Sequence, residues 1–69
     1  MDTNFGAVVE RGIVLSVSDA GARIASLSRS GIETPPLPAI LGMAVCVGDY
    51  VYYFMFDDGT GRVIDKFVI

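Results

Sequence analysis

The sequence predicts an all-β domain, a small five-stranded barrel with no substantial helix. Three observations predict it. Tyr50-Val51-Tyr52-Tyr53-Phe54-Met55-Phe56 is an unbroken aromatic and β-branched run, followed by the turn Asp57-Asp58-Gly59-Thr60-Gly61 and a returning run from Arg62 to Val68, which is the pattern of a hairpin. Other apolar runs of strand length recur along the chain, each bounded by glycine, proline, serine or aspartate. No stretch carries the 3.6-residue period of an amphipathic helix.

Residues Ala7 to Ser18 form the first strand candidate, with Gly12 in its middle predicting a bulge or sharp coil. A first strand that pairs with two sets of neighbours needs such a bend. Ser18-Asp19-Ala20-Gly21 reads as a turn and Ala22 to Ser28 as the returning strand, which makes a first hairpin. After the turn signal Arg29-Ser30-Gly31, Ile32-Glu33-Thr34 is extended, and Leu37 to Leu41 resumes as a short strand or edge segment. Pro35 and Pro36 bar the part between them from a central ladder position, because proline has no N–H to donate. Met43 to Val47, apolar and too short for an independent helix, predicts a buried connection that plugs one end of the barrel. Gly48-Asp49 then turns the chain into Tyr50–Phe56. Five strands in one domain spanning residues 1–69 fit an OB-like Greek-key barrel or, alternatively, an SH3-like one.

A chain of 69 residues buries only about 60% of the surface that its unfolded form exposes, so it needs a further source of stability. Cys46 is the only cysteine and there is no histidine, which excludes an internal disulfide and an ordinary structural zinc site. Oligomerisation is the remaining common stabiliser. The 52% hydrophobic content, 19% charged content and mean hydropathy of +0.56 point the same way, because they leave too few polar side chains to cover the surface. Exposed apolar patches of that kind mark contact with a partner.

The formal charge is −3 and the basic residues Arg11, Arg23, Arg29, Arg62 and Lys66 are scattered, which weighs against nucleic-acid binding driven by phosphate neutralisation. The segment from Pro35 to Phe56 has Asp49 as its only charge, yet its prolines and the Gly48-Asp49 break favour strand over a spanning helix, so no membrane insertion is expected. Met1-Asp2-Thr3-Asn4-Phe5 lacks the charged and apolar regions of a secretory signal, so synthesis in the cytoplasm is expected.

By the period of two, Tyr50, Tyr52, Phe54 and Phe56 share one face of the fourth strand, and Val51, Tyr53 and Met55 share the other. Both faces are apolar. One can line the barrel, and the other then needs a cover from the terminal segments, a second copy or a ligand. Tyr50, Tyr52, Phe54 and Phe56 are therefore the candidate interface. An aromatic platform of this kind also serves base stacking in oligonucleotide-binding barrels, but here it is flanked by Asp49, Asp57 and Asp58.

Catalytic chemistry finds no constellation. Cys46 has no histidine to act as its base, and its neighbours Val45 and Val47 predict a buried, inert thiol. The serines likewise lack a base. Asp57-Asp58-Gly59-Thr60-Gly61 lacks the alternate carboxylates and distal glutamate of an EF-hand loop. It reads as a turn, with Gly59 and Gly61 at positive φ and the aspartates bonded to their own backbone. No enzyme activity, catalytic residue, metal or cofactor is expected.

Several segments in order carry a resemblance: Gly12-Ile13-Val14-Leu15-Ser16-Val17, Ala22-Arg23-Ile24, Thr34-Pro35-Pro36-Leu37-Pro38, Val47-Gly48-Asp49-Tyr50-Val51 and Phe56-Asp57-Asp58-Gly59-Thr60-Gly61-Arg62-Val63-Ile64. Over about four-fifths of the chain this pattern resembles the small barrel domain of phage baseplate assembly protein V and related tail-spike proteins, including small prophage proteins. The sequence runs to Ile69 directly after the last expected strand, so the β-helical spike of that family is not expected. The resemblance implies a structural adaptor that assembles as a homo-oligomer, most often a trimer, docks to other tail proteins and is carried in a virion or phage-like particle. Val47-Gly48-Asp49-Tyr50-Val51 also resembles the barrel of hydrogenase-maturation chaperones, but their functional cysteine after the initiator Met is replaced here by Asp2.

Overall fold

A computed structural model describes residues 9–40 and 42–68. The described residues are all-β and contain no helix: strands β1 (Glu10–Ser18), β2 (Gly21–Ser26), β3 (Tyr50–Met55) and β4 (Gly61–Phe67) form one sheet in the order β2-β1-β3-β4. Every neighbouring pair is antiparallel. Among the described residues no helix is long and apolar enough to cross a membrane. Ala7, Val8 and Leu41, which the sequence assigned to strands, lie outside the described residues.

The first hairpin closes tightly, with Ser18 opposite Gly21 across Asp19-Ala20. β1 does bend, but not at Gly12. Its register shifts between Val14 and Ser16, leaving Leu15 as the extra residue. This bulge re-aims the strand: plain alternation from buried Val14 would send Ser16 to the core side, whereas the shift pairs Ser16 with Arg23 and Val17 with buried Ala22. Gly12 has a different reason to be glycine. A Cβ there would run into Ile24, the Ala25 carbonyl and the Tyr53 ring, so the missing side chain lets β2 and β3 close over β1.

The expected strand after the first hairpin is not continuous. In place of a ladder, the chain from Ile32 to Ile40 makes isolated bridges, antiparallel at Ala25–Glu33 and Ala22–Leu37 and parallel at Ala39–Val63. The prolines account for this, since Pro35, Pro36 and Pro38 supply no N–H. The residues beside the prolines and one side chain carry the pairing instead: Ala22 and Leu37 exchange both backbone bonds at 2.9 Å, Thr34 N–H donates to Ile24 O, and Ile24 N–H donates to Thr34 Oγ1 at 3.0 Å. On the far side Val63 N–H donates to Pro38 O and Ile40 N–H donates to Val63 O.

The core consists of Val14, Ala22, Ile24, Leu37, Val51, Tyr53 and Val63, with Ala39, Met43, Val45 and Met55 half-buried against it. Burying each of the larger aliphatic side chains is worth about 1.5–3 kcal/mol. From Met43 to Cys46 the connection alternates, with Met43 and Val45 facing the core while Ala44 and Cys46 are exposed, and Val47 is exposed beyond them. Cys46 is thus an exposed thiol and not the buried one expected, because an extended segment that turns Val45 inward turns its neighbour outward.

Candidate functional site

β3 has one face in the core and one face out. Val51 and Tyr53 are 0% and 1% exposed, and Met55 packs beside them. Tyr50, Tyr52, Phe54 and Phe56 lie on the opposite side, with Tyr52 and Phe56 36% and 40% exposed and Tyr50 and Phe54 half-buried. All four interface candidates therefore share the outer surface of the sheet.

A fifth aromatic residue joins them through a second bulge. β4 pairs Asp65 with Tyr52 but Val63 with Tyr53, so Ile64 is an extra residue. Counting by two from buried Val63 would send Asp65 and Phe67 inward. The extra residue turns both outward. Phe67 lies opposite Tyr50, its ring 5.7 Å from Tyr50 and 4.7 Å from Tyr52 between centroids, while Phe54 and Phe56 meet edge to face at 5.4 Å. Such pairs hold aromatic rings in fixed orientations.

Charged residues border the rings. Arg11 on β1 and Asp65 on β4 both stand directly opposite Tyr52, and Arg62 stands opposite Phe54. Sequence reasoning missed Arg11, Asp65 and Phe67 as members of this surface. The available signal was Asp65 itself: a carboxylate at a nominally inward position of a strand is the mark of a bulge.

The acidic tip of the β3–β4 hairpin is structural. Phe56 N–H donates to Thr60 O at 2.6 Å and Gly59 N–H to Phe56 O at 3.0 Å. Gly59 has φ of 88°, a region that favours glycine. Gly61, expected to share that role, does not have positive φ; its missing side chain instead leaves room for the Phe54 carbonyl and Met55 Cα. Asp58 Oδ1 accepts from the Thr60 hydroxyl at 2.6 Å and from Thr60 N–H at 2.9 Å, and these bonds hold the carboxyl below its ordinary range, the hydroxyl contributing most. One of its two oxygens is thus engaged in holding the turn. Among the described residues no group of three or more histidine, cysteine or acidic side chains gathers as a metal site.

A polar cluster occupies the start of β1. Glu10 Oε1 accepts from the Tyr53 hydroxyl at 2.9 Å and from Arg29 Nη2 at 3.2 Å, with Ser26 Oγ at 3.4 Å. Arg29 Nε lies 3.0 Å from Glu10 Oε2. The hydrogen bond and charge of Glu10 hold the Arg29 guanidinium above its ordinary pKa, and burial pushes the Tyr53 phenol up. Both carboxylate oxygens are engaged, so Glu10 acts as a pin between β1, β3 and the Arg29 loop. Shallow depressions also mark the surface. One of about 440 Å³ is lined by Val17, Ala22, Leu37, Ile40, Met43 and Val45, one of about 450 Å³ lies between Arg29, Pro35 and Phe56, and one of about 200 Å³ is lined by Phe54, Phe56 and Arg62. The first is chiefly apolar at its walls and brings no set of polar groups to one point.

Compared with known proteins, the chain matches no family model, no curated protein sequence and no solved structure.

Proposed function

We propose that this protein is a non-enzymatic assembly module that works by self-association and by docking to other proteins. The observation that carries the reading is the outer face of β3 and β4, where Tyr50, Tyr52, Phe54, Phe56 and Phe67 line up on the side away from the core. Rigid aromatic rings give large contact area at small entropic cost, and they are enriched where binding energy is concentrated.

The fold behind that face is best read as a five-stranded OB-like barrel. Support comes from the Glu33–Ile40 segment, whose bridges reach β2 on one side and β4 on the other. It thereby links the two outer strands of the sheet in the partly open manner of such barrels. On the segment resemblances in the sequence, the setting would be a phage or prophage tail or baseplate particle, with the module as an oligomer, a trimer by that resemblance, among other tail proteins.

Light scattering during size-exclusion chromatography tests the assembly reading. The wild-type chain is expected to run above monomer mass, and Tyr52→Ala to lower that mass without changing the circular dichroism spectrum. A monomer at high micromolar concentration overturns it. A second reading has one observation in its favour: Arg11 and Arg62 stand beside Tyr52 and Phe54, as in a platform for single-stranded nucleic acid. That reading requires oligonucleotide binding with a steep salt slope, lost in Tyr52→Ala.

A further inference from the structure

Across the middle of the outer face runs one row of cross-strand neighbours: Arg11 on β1, Tyr52 on β3 and Asp65 on β4. Arg11 and Asp65 are exposed. They sit two strand spacings apart, about 10 Å, with Tyr52 between them, and no salt bridge joins them. The ion pairs among the described residues are Arg23–Glu33, Arg29–Glu10 and Lys66–Asp49, so neither residue of the row is engaged in one. The adjacent row, Ile13, Tyr50 and Phe67, is apolar. At this row the face thus carries a positive charge on one flank of an aromatic stripe and a negative charge, level with it, on the other, while Arg62 lies further along β4 opposite Phe54.

We propose that this face binds a second copy of the chain about a two-fold axis that lies in the interface, parallel to β3 and over Tyr52. The inference rests on the self-association reading and specifies its geometry. Such an axis lays one sheet on the other with β1 of each copy over β4 of the other. Arg11 of each copy then meets Asp65 of the other, Tyr52 meets Tyr52, and Ile13 meets Phe67. The same patch serves both subunits, as a two-fold contact requires, and strands running nearly parallel across it match the aligned packing of sheets. Turning the axis across the strands would instead set Arg11 on Arg11 and Asp65 on Asp65, an arrangement that like-charge repulsion disfavours. The charge row therefore selects one of the two symmetric ways of stacking the face on itself. It closes as a pair, whereas the resemblance in the sequence implies a trimer.

Charge reversal within one chain tests this directly. Arg11→Asp sets two carboxylates against each other at both symmetric contacts, and Asp65→Arg sets two guanidinium groups there. Each is expected to weaken the dimer by about tenfold or more at low salt, while circular dichroism stays unchanged because both positions are exposed. The double variant R11D/D65R restores opposite charges across the axis and is expected to dimerise like the wild type. Mixing the R11D chain with the D65R chain gives a mixed dimer, with neither forming its own. A dimer indifferent to both single reversals, a double variant that fails to recover, or a trimer mass overturns the two-fold geometry and leaves self-association standing. A monomer at every concentration overturns both.

Discussion

The Tyr53 hydroxyl donates to Glu10 Oε1 at 2.9 Å across 43 residues of sequence, and the same two residues are direct cross-strand partners of β1 and β3. One side chain thus both fills the core and fastens its edge. Tyr53→Phe keeps the ring and removes the bond. The expected loss is about 1–2 kcal/mol, below the full value of a bond to a charged group, because Arg29 still satisfies the carboxylate. The pH dependence has a definite sign. Burial raises the Tyr53 pKa above its ordinary value of 10.0, so the folded state holds its proton where the unfolded chain has lost it. The stability from this phenol is complete below that value and falls as pH rises through it toward the higher folded pKa. Urea unfolding across alkaline pH should show a shallower decline in the variant, and an unchanged slope would refute the assignment.

Thr34 takes a place in the sheet that a backbone group would ordinarily fill. Its buried hydroxyl oxygen accepts the Ile24 N–H at 3.0 Å at the point where the prolines interrupt regular pairing. Thr34→Val keeps the shape and strands that N–H without a partner, at an expected cost of about 1–3 kcal/mol. Thr34→Ser retains the acceptor and is expected to lose less. Chemical denaturation of the two variants ranks them, and equal stabilities would show that water replaces the hydroxyl.

Local sequence carried the hairpins because each combines a strand pattern with a turn whose chemistry is local: Asp58 bonds Thr60 within the turn, and Gly59 supplies the positive φ. The outward placement of Tyr50, Tyr52, Phe54 and Phe56 was legible for the same reason, since strict alternation holds within β3. It fails where a ladder takes in an extra residue. The bulges at Leu15 and Ile64 are set by which strands meet which, a tertiary matter; the first pairs Val17 with Ala22, and the second turns Asp65 and Phe67 outward. Gly12 shows the same limit: as a sequence signal it suggested a bend, whereas its cause is the approach of Ile24 and Tyr53 from two other strands. Cys46 was misread because apolar neighbours imply burial only when the segment is buried on every side.

At the hairpin tip, the Thr60 hydroxyl and N–H hold the Asp58 carboxyl below its ordinary value of 3.8. A depressed folded pKa contributes stability that is present above the ordinary value and is lost as pH falls through it toward the folded one. Thr60→Val removes the larger of the two causes. Carboxyl titration followed by NMR should show Asp58 with a low midpoint in the wild type and a midpoint closer to the ordinary value in the variant. An identical midpoint would mean that the hydroxyl bond does not persist in solution.

At Gly12, β2 and β3 both close on β1. A Cβ there would lie 2.9 Å from the Ala25 carbonyl oxygen and 3.0 Å from Tyr53 Cε1, and nearer still to Ile24 Cγ2. The first of these is backbone and cannot rotate away. The other two belong to fully buried side chains with no open space to move into. Overpacking of this kind costs about 1–3 kcal/mol, so Gly12→Ala is expected to destabilise the fold by at least that range, although alanine is the smallest possible addition. The strain should also reach the outer face, because Tyr53 is flanked along β3 by Tyr52 and Phe54. Oligomer mass in Gly12→Ala should therefore fall along with stability, whereas Tyr52→Ala lowers the mass alone. A variant within about 0.5 kcal/mol of the wild type, the usual size of a harmless substitution, would show that β1 can shift to admit the methyl group.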